Sequence, residues 1–261
     1  MKRKLFCEIS PLTYRISTKK EILMRKIRDL PLRGKFARVR QEELLPVRIK
    51  KHASLIRRRL GNVDMQLQEN KAVNLSLAAP CIDRVLIRPG EIFSFWTLVG
   101  DPSARRGFRD GLVIAGGKTD SGVGGGMCQF TNLIHWMVLH SDLDIIEHHH
   151  HDGMDLFPDY GRQIPFGTGT SILYNYLDYR FQNNTDRTYQ LTVWTDGEYL
   201  HGELLADRPQ QYSYHIECRN EFFSREEDGV YRNNEIWRHK IDVHTGEEAE
   251  AVLLQPRQNC L

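Results

Sequence analysis

The spacing of apolar and polar positions changes along this chain of 261 residues. Residues 1–60 place apolar positions among many basic ones and are interrupted by Pro31 and Pro46, which predicts a segmented helical arm. Residues 62–80 mix apolar with polar positions and end at Pro80, which predicts a second helical stretch. Beyond this proline, short apolar runs separated by turn residues predict mostly strands.

The predicted strands are short and concentrate in the second half of the chain. Residues 84–88 and 92–96 flank the turn signal Pro89-Gly90 and predict a strand pair. Further strands are predicted at residues 112–115, 143–147, 172–181, 188–194, 199–205, 212–218, 229–243 and 249–254. Helices early and strands late indicate an α+β fold. We divide it into a basic helical arm (1–61), a central α+β domain (62–206) and a strand-rich C-terminal extension (207–261).

A glycine-rich stretch, GVGGGMCQ at residues 122–129, carries the main chemical signal. Apolar residues at helical spacing follow it, so Cys128 is expected in the first turn of a helix. The positive end of a helix stabilises a thiolate, and glycines such as Gly125 and Gly126 leave backbone amides free to bind an oxyanion. This pattern predicts a cysteine acyl-transfer site with a lowered thiol pKa and with Gln129 beside it. The alternative is a glycine-rich loop before a helix with one inert, buried cysteine.

Four consecutive histidines, His148 to His151, follow a predicted strand. A neutral imidazole near pH 7 suits proton transfer, so one of them is a candidate base. In an extended segment His149 and His151 share a face, and the alternative is that they chelate Zn²⁺ or Ni²⁺. Arg162, in a predicted loop, either clamps a substrate carboxylate or is simply solvated.

Charge is distributed unevenly, although the net charge is only +2. Residues 1–60 hold 19 Lys and Arg against 5 Asp and Glu, whereas the remainder holds 17 against 29. A basic arm suits anionic lipid headgroups, nucleic acid or an acidic partner; of these we expect an anionic membrane surface and no nucleic acid. The alternative is that the arm packs on the acidic body of its own chain.

Cysteine usage and the N-terminus set further expectations. The five cysteines are scattered and form no CxxC pair, so neither a zinc ribbon nor a disulfide framework is indicated, and no cofactor is expected. The basic N-terminus lacks the apolar run of a signal peptide, and no stretch of about 20 apolar residues is present. We therefore expect a cytoplasmic location, or a peripheral one at the inner membrane face.

Several segments around Cys128 match one family. The matching segments are QENK (68–71), NLSLAA (74–79), RPGEIFSFW (88–96), GLVI (111–114), GGK (116–118), GGGMCQ (124–129) and FQNNT (181–185). Through them the chain resembles the VanW family over residues 62–206 and is similar to its stand-alone members, which are associated with vancomycin resistance in bacteria.

The resemblance implies roles for particular residues. Some secreted VanW domains act as L,D-transpeptidases that crosslink peptidoglycan through the motif cysteine, which Cys128 matches. A histidine about 20 residues later is usual in the family, and His151 matches it, with His149 second. The family's aspartate before a long strand falls at Gly169 here, which leaves the third, orienting group unassigned.

Taken together, these features predict a VanW-like protein of cell-wall peptide metabolism or glycopeptide resistance. The expected reaction is cysteine-dependent acyl transfer or hydrolysis. Cys128 is the nucleophile, His151 or His149 the base, and Gly125, Gly126, Gln129 and Arg162 bind substrate or the oxyanion. The alternatives are a non-catalytic module that binds a cell-wall peptide or its precursor, a membrane-associated accessory protein, and a metal-binding protein.

Overall fold

The computed structural model describes residues 5–59, 64–115, 118–150, 164–174, 176–226 and 229–255. The helices are α1 (Pro11–Arg28), α2 (Met65–Ile82), α3 (Phe95–Val99) and α4 (Cys128–Val138), with 3₁₀ turns at Phe6–Glu8, Leu30–Lys35 and Ala104–Arg106. The strands are β1 (Val47–Leu55), β2 (Val85–Ile87), β3 (Ile92–Ser94), β4 (Asp110–Ala115), β5 (Lys118–Val123), β6 (Asp144–Glu147), β7 (Arg180–Gln182), β8 (Tyr189–Thr195), β9 (Tyr199–Ala206), β10 (Tyr212–Glu226), β11 (Gly229–Asp242) and β12 (Glu248–Gln255). The predicted α+β class is confirmed.

The core lies between a four-stranded antiparallel sheet and two helices. The sheet has the order β1-β9-β8-β2; α2 packs on β8, and α4 packs on β1 and β9. Both helices turn apolar side chains inward at helical spacing, so burying this apolar area is the main stabilising contribution. The fully buried side chains include Leu75 and Ile82 of α2, Phe130 and Ile134 of α4, and Tyr189 of β8.

Three smaller sheets surround this core, in the orders β3-β7-β6, β4-β5 and β10-β11-β12. The strand pair predicted across Pro89-Gly90 is wrong, because β2 pairs with β8 and β3 pairs with β7. Asn183 bridges the two strands instead, since its side chain donates to the carbonyl of Ile87 and its carbonyl accepts from the Gly90 amide. Long-range pairing therefore overrides the local turn signal.

The basic arm is only partly helical. Helix α1 and the 3₁₀ turn Leu30–Lys35 agree with the prediction, but residues 47–55 form β1, which pairs antiparallel with β9. The helical prediction is wrong there because the open edge of β9 supplies backbone hydrogen-bonding partners, and tertiary pairing outweighs local propensity. The strand predicted over 172–181 is likewise reduced to β7. Among the described helices, none has the length and apolar character to cross a membrane.

Helix α1 is tied to the body by a buried ionic network. Arg180 donates from Nη1 and Nη2 to the two carboxylate oxygens of Asp29, at 2.7 and 2.6 Å, and from Nε to Asp178 at 2.7 Å. Arg25 of α1 pairs with Glu147 of β6. Bidentate arginine–carboxylate contacts fix orientation as well as distance, so one face of α1 is held against the body.

The glycine turn before α4 is fastened to α2 and β4. Asn74 is buried, and its side-chain nitrogen donates to the carbonyls of Gly125 and Arg109 at 3.0 and 2.9 Å. Its Oδ1 accepts from the Arg109 amide at 2.8 Å. The backbones of Gly111 and Gly125 then approach so closely that a methyl group on either would overlap the other. This approach fixes where α4 begins.

We expect Gly125→Ala to lower the free energy of unfolding by about 1–3 kcal/mol or more, because the new methyl group overlaps the Gly111 carbonyl. Gly34→Ala is the matched control, since no described atom would lie within 4 Å of its new methyl group. Urea unfolding of both variants makes the measurement. Equal stability of Gly125→Ala and wild type would contradict the close approach.

Candidate functional site

Cys128 is the first residue of α4, as predicted, and its side chain is half-buried. The backbone amide of Ile172 donates a hydrogen bond to the thiol sulfur. The hydroxyl of Thr131 donates to the Cys128 carbonyl at 3.2 Å, and Thr131 in turn contacts the hydroxyl of Thr170. The first turn of α4 is thereby held against the segment before Ile172.

The protonation of this thiol differs from the sequence-based expectation. Burial raises the pKa of Cys128, and this effect outweighs the hydrogen bond from Ile172, which lowers it. The predicted lowered pKa is therefore wrong, because desolvation of the thiolate exceeds the favourable effect of the helix terminus. In the resting protein Cys128 is a neutral thiol at pH 7.

A cleft of about 120 Å³ opens beside Cys128. Its walls come from α2, the loop after α3, the β4-β5 hairpin, the glycine turn and residues 172–174. The lining residues are Gln68, Lys71, Trp96, Pro102, Leu112, Val113, Val123, Gly124, Gly125, Gly126, Met127, Cys128, Gln129, Ile172, Leu173 and Tyr174. Of the predicted residues, the structure thus brings Gly125, Gly126, Cys128 and Gln129 together.

The backbone amides of the glycine turn are not equally available. The Gly125 amide donates to the Gly122 carbonyl at 2.9 Å, and the Gln129 amide donates to Gly126 at 3.1 Å. Within the described ranges, the amides of Gly126 and Met127 have no hydrogen-bond acceptor, whereas the Cys128 amide hydrogen-bonds its own thiol sulfur. The amides of Gly126 and Met127, and not that of Gly125, therefore have free donor capacity beside the thiol.

Gln129 connects the cleft to β1. Its side-chain nitrogen donates to the Ser54 hydroxyl at 2.9 Å and to the Leu55 carbonyl at 2.8 Å. These contacts fix the amide orientation, since only the nitrogen can donate. The oxygen Oε1 is buried without a hydrogen-bond partner in the described part of the chain. A buried acceptor that lacks a donor is destabilising, and this one belongs to a residue of the cleft wall.

Lys71 is a cleft residue that sequence reasoning missed. It lies on α2, is only 5% exposed, and runs along Gly126, where a β-carbon would overlap its side-chain methylenes. Burial, together with the smaller effects of the Arg58 and Arg57 charges, lowers the pKa of Lys71 to about 7. The available signal was its position, because Lys71 shares the buried stripe of α2 with Asn74, Leu75 and Ala78.

The histidine run lies apart from the cleft in the part that the structure describes. His149 donates from Nε2 to the Glu147 carboxylate at 3.0 Å, in the network that holds α1, and it does not line the cleft. His148 hydrogen-bonds the Gly169 carbonyl at 3.0 Å and stacks on His135, with ring centroids 4.3 Å apart. His151 lies outside the described residues, as does Arg162.

The metal alternative gains no support from the described residues, which contain no group of three or more His, Cys, Asp or Glu side chains that could hold an ion. A site that includes His151 falls outside those residues. His149 and His148 instead hydrogen-bond Glu147 and the Gly169 carbonyl, and His148 stacks on His135.

Asp178 is a second residue that the sequence reading did not find. It is buried just before β7 and accepts hydrogen bonds from Ser94 Oγ at 2.6 Å and from the amide of Trp96 at 3.1 Å. It also accepts from Arg180. Trp96 is a buried core residue, and it also forms one wall of the cleft. Asp178 therefore positions the cleft wall through Trp96.

The histidine stack predicts a loss of stability in mild acid. Burial and the neighbouring His150 lower the pKa of His148 to about 4, against 6.5 for an unperturbed imidazole. Between these values the unfolded chain binds more protons, so the free energy of unfolding falls as the pH decreases from about 6.5 towards 4, by at most about 1.4 kcal/mol per pH unit for one histidine. We expect His148→Gln to flatten this dependence in urea unfolding.

His244→Gln is the control for this experiment, because His244 is exposed on the turn after β11. It should leave the pH dependence unchanged. If His148→Gln follows the same slope as wild type, His148 does not titrate differently in the folded and unfolded states.

Comparisons with known proteins identify the family of this chain. The family model described as VanW like protein matches residues 70–205. The Vancomycin B-type resistance protein VanW of Enterococcus faecalis (strain ATCC 700802 / V583) is 38% identical over 191 residues, which span 73% of this chain and 69% of that protein. The uncharacterized protein YoaR of Bacillus subtilis (strain 168) is 30% identical over 118 residues, 44% of this chain and 36% of that protein. No solved structure matches the chain significantly.

The matched region contains every residue that lines the cleft except Gln68. Lys71, Asn74, the glycine turn, Cys128 and Ile172 all fall within residues 70–205. The family model covers more than half of the chain, and the chain therefore belongs to the VanW-like family, as the resemblance of its motifs predicted.

Proposed function

We propose that this protein is a cysteine-dependent acyl-transfer enzyme that acts on a cell-wall peptide and contributes to glycopeptide resistance. The observation that carries the proposal is the position of Cys128 on the wall of the cleft, beside the free amides of Gly126 and Met127. A nucleophile, oxyanion donors and a partly enclosed apolar space are three requirements of such a reaction, and a base is the fourth. The relationship to a vancomycin resistance protein supports the cell-wall context.

The proposed reaction proceeds through a thioester. The Cys128 sulfur attacks the peptide carbonyl, and its proton passes to a base, for which we retain His151. The amides of Gly126 and Met127 stabilise the oxyanion. The C–N bond then breaks, and the leaving amine takes the proton from the base. An acceptor amine or water attacks the thioester, the C–S bond breaks, and the sulfur regains a proton.

The raised pKa of Cys128 shapes this scheme. A neutral thiol requires a base during the attack, because little thiolate is present beforehand. His149 does not line the cleft, which argues against His149 in this role. The free enzyme should thus be slow towards simple alkylating reagents at neutral pH, whereas a peptide bound in the cleft is positioned for attack.

The test is covalent capture. We expect wild-type protein to form a mass adduct with a muropeptide or a carbapenem, and Cys128→Ala to form none while keeping its fold. Cys218→Ala is the control, because Cys218 lies on β10, away from the cleft, and it should form the adduct normally. Intact-mass spectrometry makes the measurement.

Two outcomes would change the proposal. An adduct on Cys128→Ala would exclude this cysteine as the nucleophile. A well-folded wild type that forms no adduct but binds the muropeptide would favour the alternative of a non-catalytic binding module.

We also propose that α1 contacts an anionic membrane surface, as a peripheral site that fits the expected cytoplasmic location. Leu12, Ile16, Leu23 and Ile27 form an apolar stripe; at 100° per residue they fall within about 60° of one another, and each is 48–65% exposed. Arg25, on the opposite side of the helix, holds α1 to Glu147.

Charge complementarity favours anionic lipid as the occupant of this stripe. The basic residues Arg15, Lys19 and Lys26 are exposed beside it, whereas the acidic Glu21 lies on the far side of the helix. Helices with this distribution lie in the plane of a membrane surface, and each basic residue contributes about 1 kcal/mol near anionic headgroups.

We expect the full chain to sediment with vesicles of phosphatidylcholine and phosphatidylglycerol, and to lose this binding in salt. Leu23→Ser combined with Ile27→Ser should weaken the binding at least about tenfold, because the apolar area is removed. Thr18→Ser, on another face of α1, is the control. Point substitutions are used because deleting residues 1–60 would remove β1 from the central sheet. Self-association through the stripe without vesicle binding would contradict the lipid proposal.

A further inference from the structure

Lys71 stands out in the cleft by its charge. It is the one ionisable side chain besides Cys128 and Tyr174 among the described residues that line this space, and no carboxylate lines it there. In the described part of the chain no acceptor lies within hydrogen-bonding distance of its ammonium group, and the nearby charges that act on it are those of Arg58 and Arg57. A buried cation without a counterion is costly, and protein interiors normally pair such charges.

Gln129 supplies a second, independent observation. This residue is 7% exposed and also lines the cleft, and its nitrogen is fully used by Ser54 and Leu55. Its oxygen Oε1 has no donor among the described residues. The cleft therefore presents one cation and one unpartnered hydrogen-bond acceptor within otherwise mostly apolar walls.

We propose that Lys71 and Gln129 form a subsite for the C-terminal end of a peptide, in which Lys71 binds the free carboxylate and Gln129 Oε1 accepts a hydrogen bond from a backbone amide. This inference rests on the proposed function, since it defines the substrate class of the same cleft. A terminal residue carries both groups that the subsite lacks, a negative charge and an amide donor.

The chemistry of the subsite explains why Lys71 is not simply an apolar residue. Its methylenes pack against Gly126, as an apolar side chain would, and the ammonium group adds a positive charge to this residue of the cleft wall. A bound carboxylate would supply the missing counterion and favour the protonated lysine. The terminal residue would then lie close to Cys128, where it serves as the leaving group of the acyl transfer.

The experiment uses full-length Cys128→Ala protein, which cannot form the thioester, and two probes. The probes are N-acetyl-L-lysyl-D-alanine with a free carboxylate and the same dipeptide as its C-terminal amide. We expect calorimetry to give about 10- to 100-fold tighter binding of the acid. Lys71→Met, which keeps the packing of the stem against Gly126, should abolish this preference.

A spectroscopic readout accompanies the binding measurement. The ¹³C signal of the Lys71 ε-carbon follows its protonation, and the acid should raise the pH at which it titrates, whereas the amide should not. This readout needs no substitution of Lys71, so it remains decisive if Lys71→Met fails to fold. Gln129→Glu should weaken the binding of the acid probe more than that of the amide probe, since a second negative charge then faces the carboxylate of the acid.

Equal binding of acid and amide, or binding of neither, together with an unchanged Lys71 titration, would overturn the subsite. Either result leaves the acyl-transfer proposal to be decided by adduct formation on wild-type Cys128. Conversely, if the protein binds the acid selectively but wild type never forms an adduct, the subsite is supported and the proposed acyl-transfer activity is contradicted.

Discussion

The close approach of two backbone segments, at Gly111 and Gly125, is the constraint on which the rest of the site depends. Asn74 holds this contact by binding the Gly125 and Arg109 carbonyls from α2, in a buried position where unpaired carbonyls would be strongly destabilising. Because the turn is fixed at this point, α4 begins at Cys128 and its first amides border the cleft. A side chain larger than hydrogen at either glycine would separate α2, β4 and α4, the three elements that carry the site.

The buried ionic network around Arg180 also fixes the position of elements that border the cleft, over a longer distance. Arg180 joins Asp29 at the end of α1 to Asp178, and Asp178 holds Ser94 and the backbone of Trp96. One buried arginine therefore connects the amphipathic helix to a wall of the cleft. Such a network specifies geometry more than it adds stability, because desolvation offsets much of the attraction between its charges.

Local sequence signals predicted the elements around Cys128 well. The glycine turn, the helix start at Cys128, the late strands from β8 onwards and the α+β class all follow from short-range patterns. Two of the failures share one cause, since residues 47–55 and the segments beside Pro89-Gly90 take their structure from distant partners, β9, β8 and β7. The site could be predicted only in part. Cys128, Gly126 and Gln129 lie in one motif and were found from the sequence, whereas Lys71 is brought beside them only by the packing of α2.

The burial of Lys71 also explains why the ligand-free cleft is not strongly destabilised by an unpaired charge. A lysine whose pKa lies near 7 is only partly charged at neutral pH, so the free protein avoids much of the penalty of an unpaired buried cation. The raised pKa of Cys128 has the same origin, desolvation, and it keeps the thiol neutral. Both groups are thus least charged when the cleft is empty. An anionic ligand in the cleft favours the protonated, positively charged form of Lys71. That positive charge in turn stabilises the negative charge that develops on the oxyanion beside Cys128.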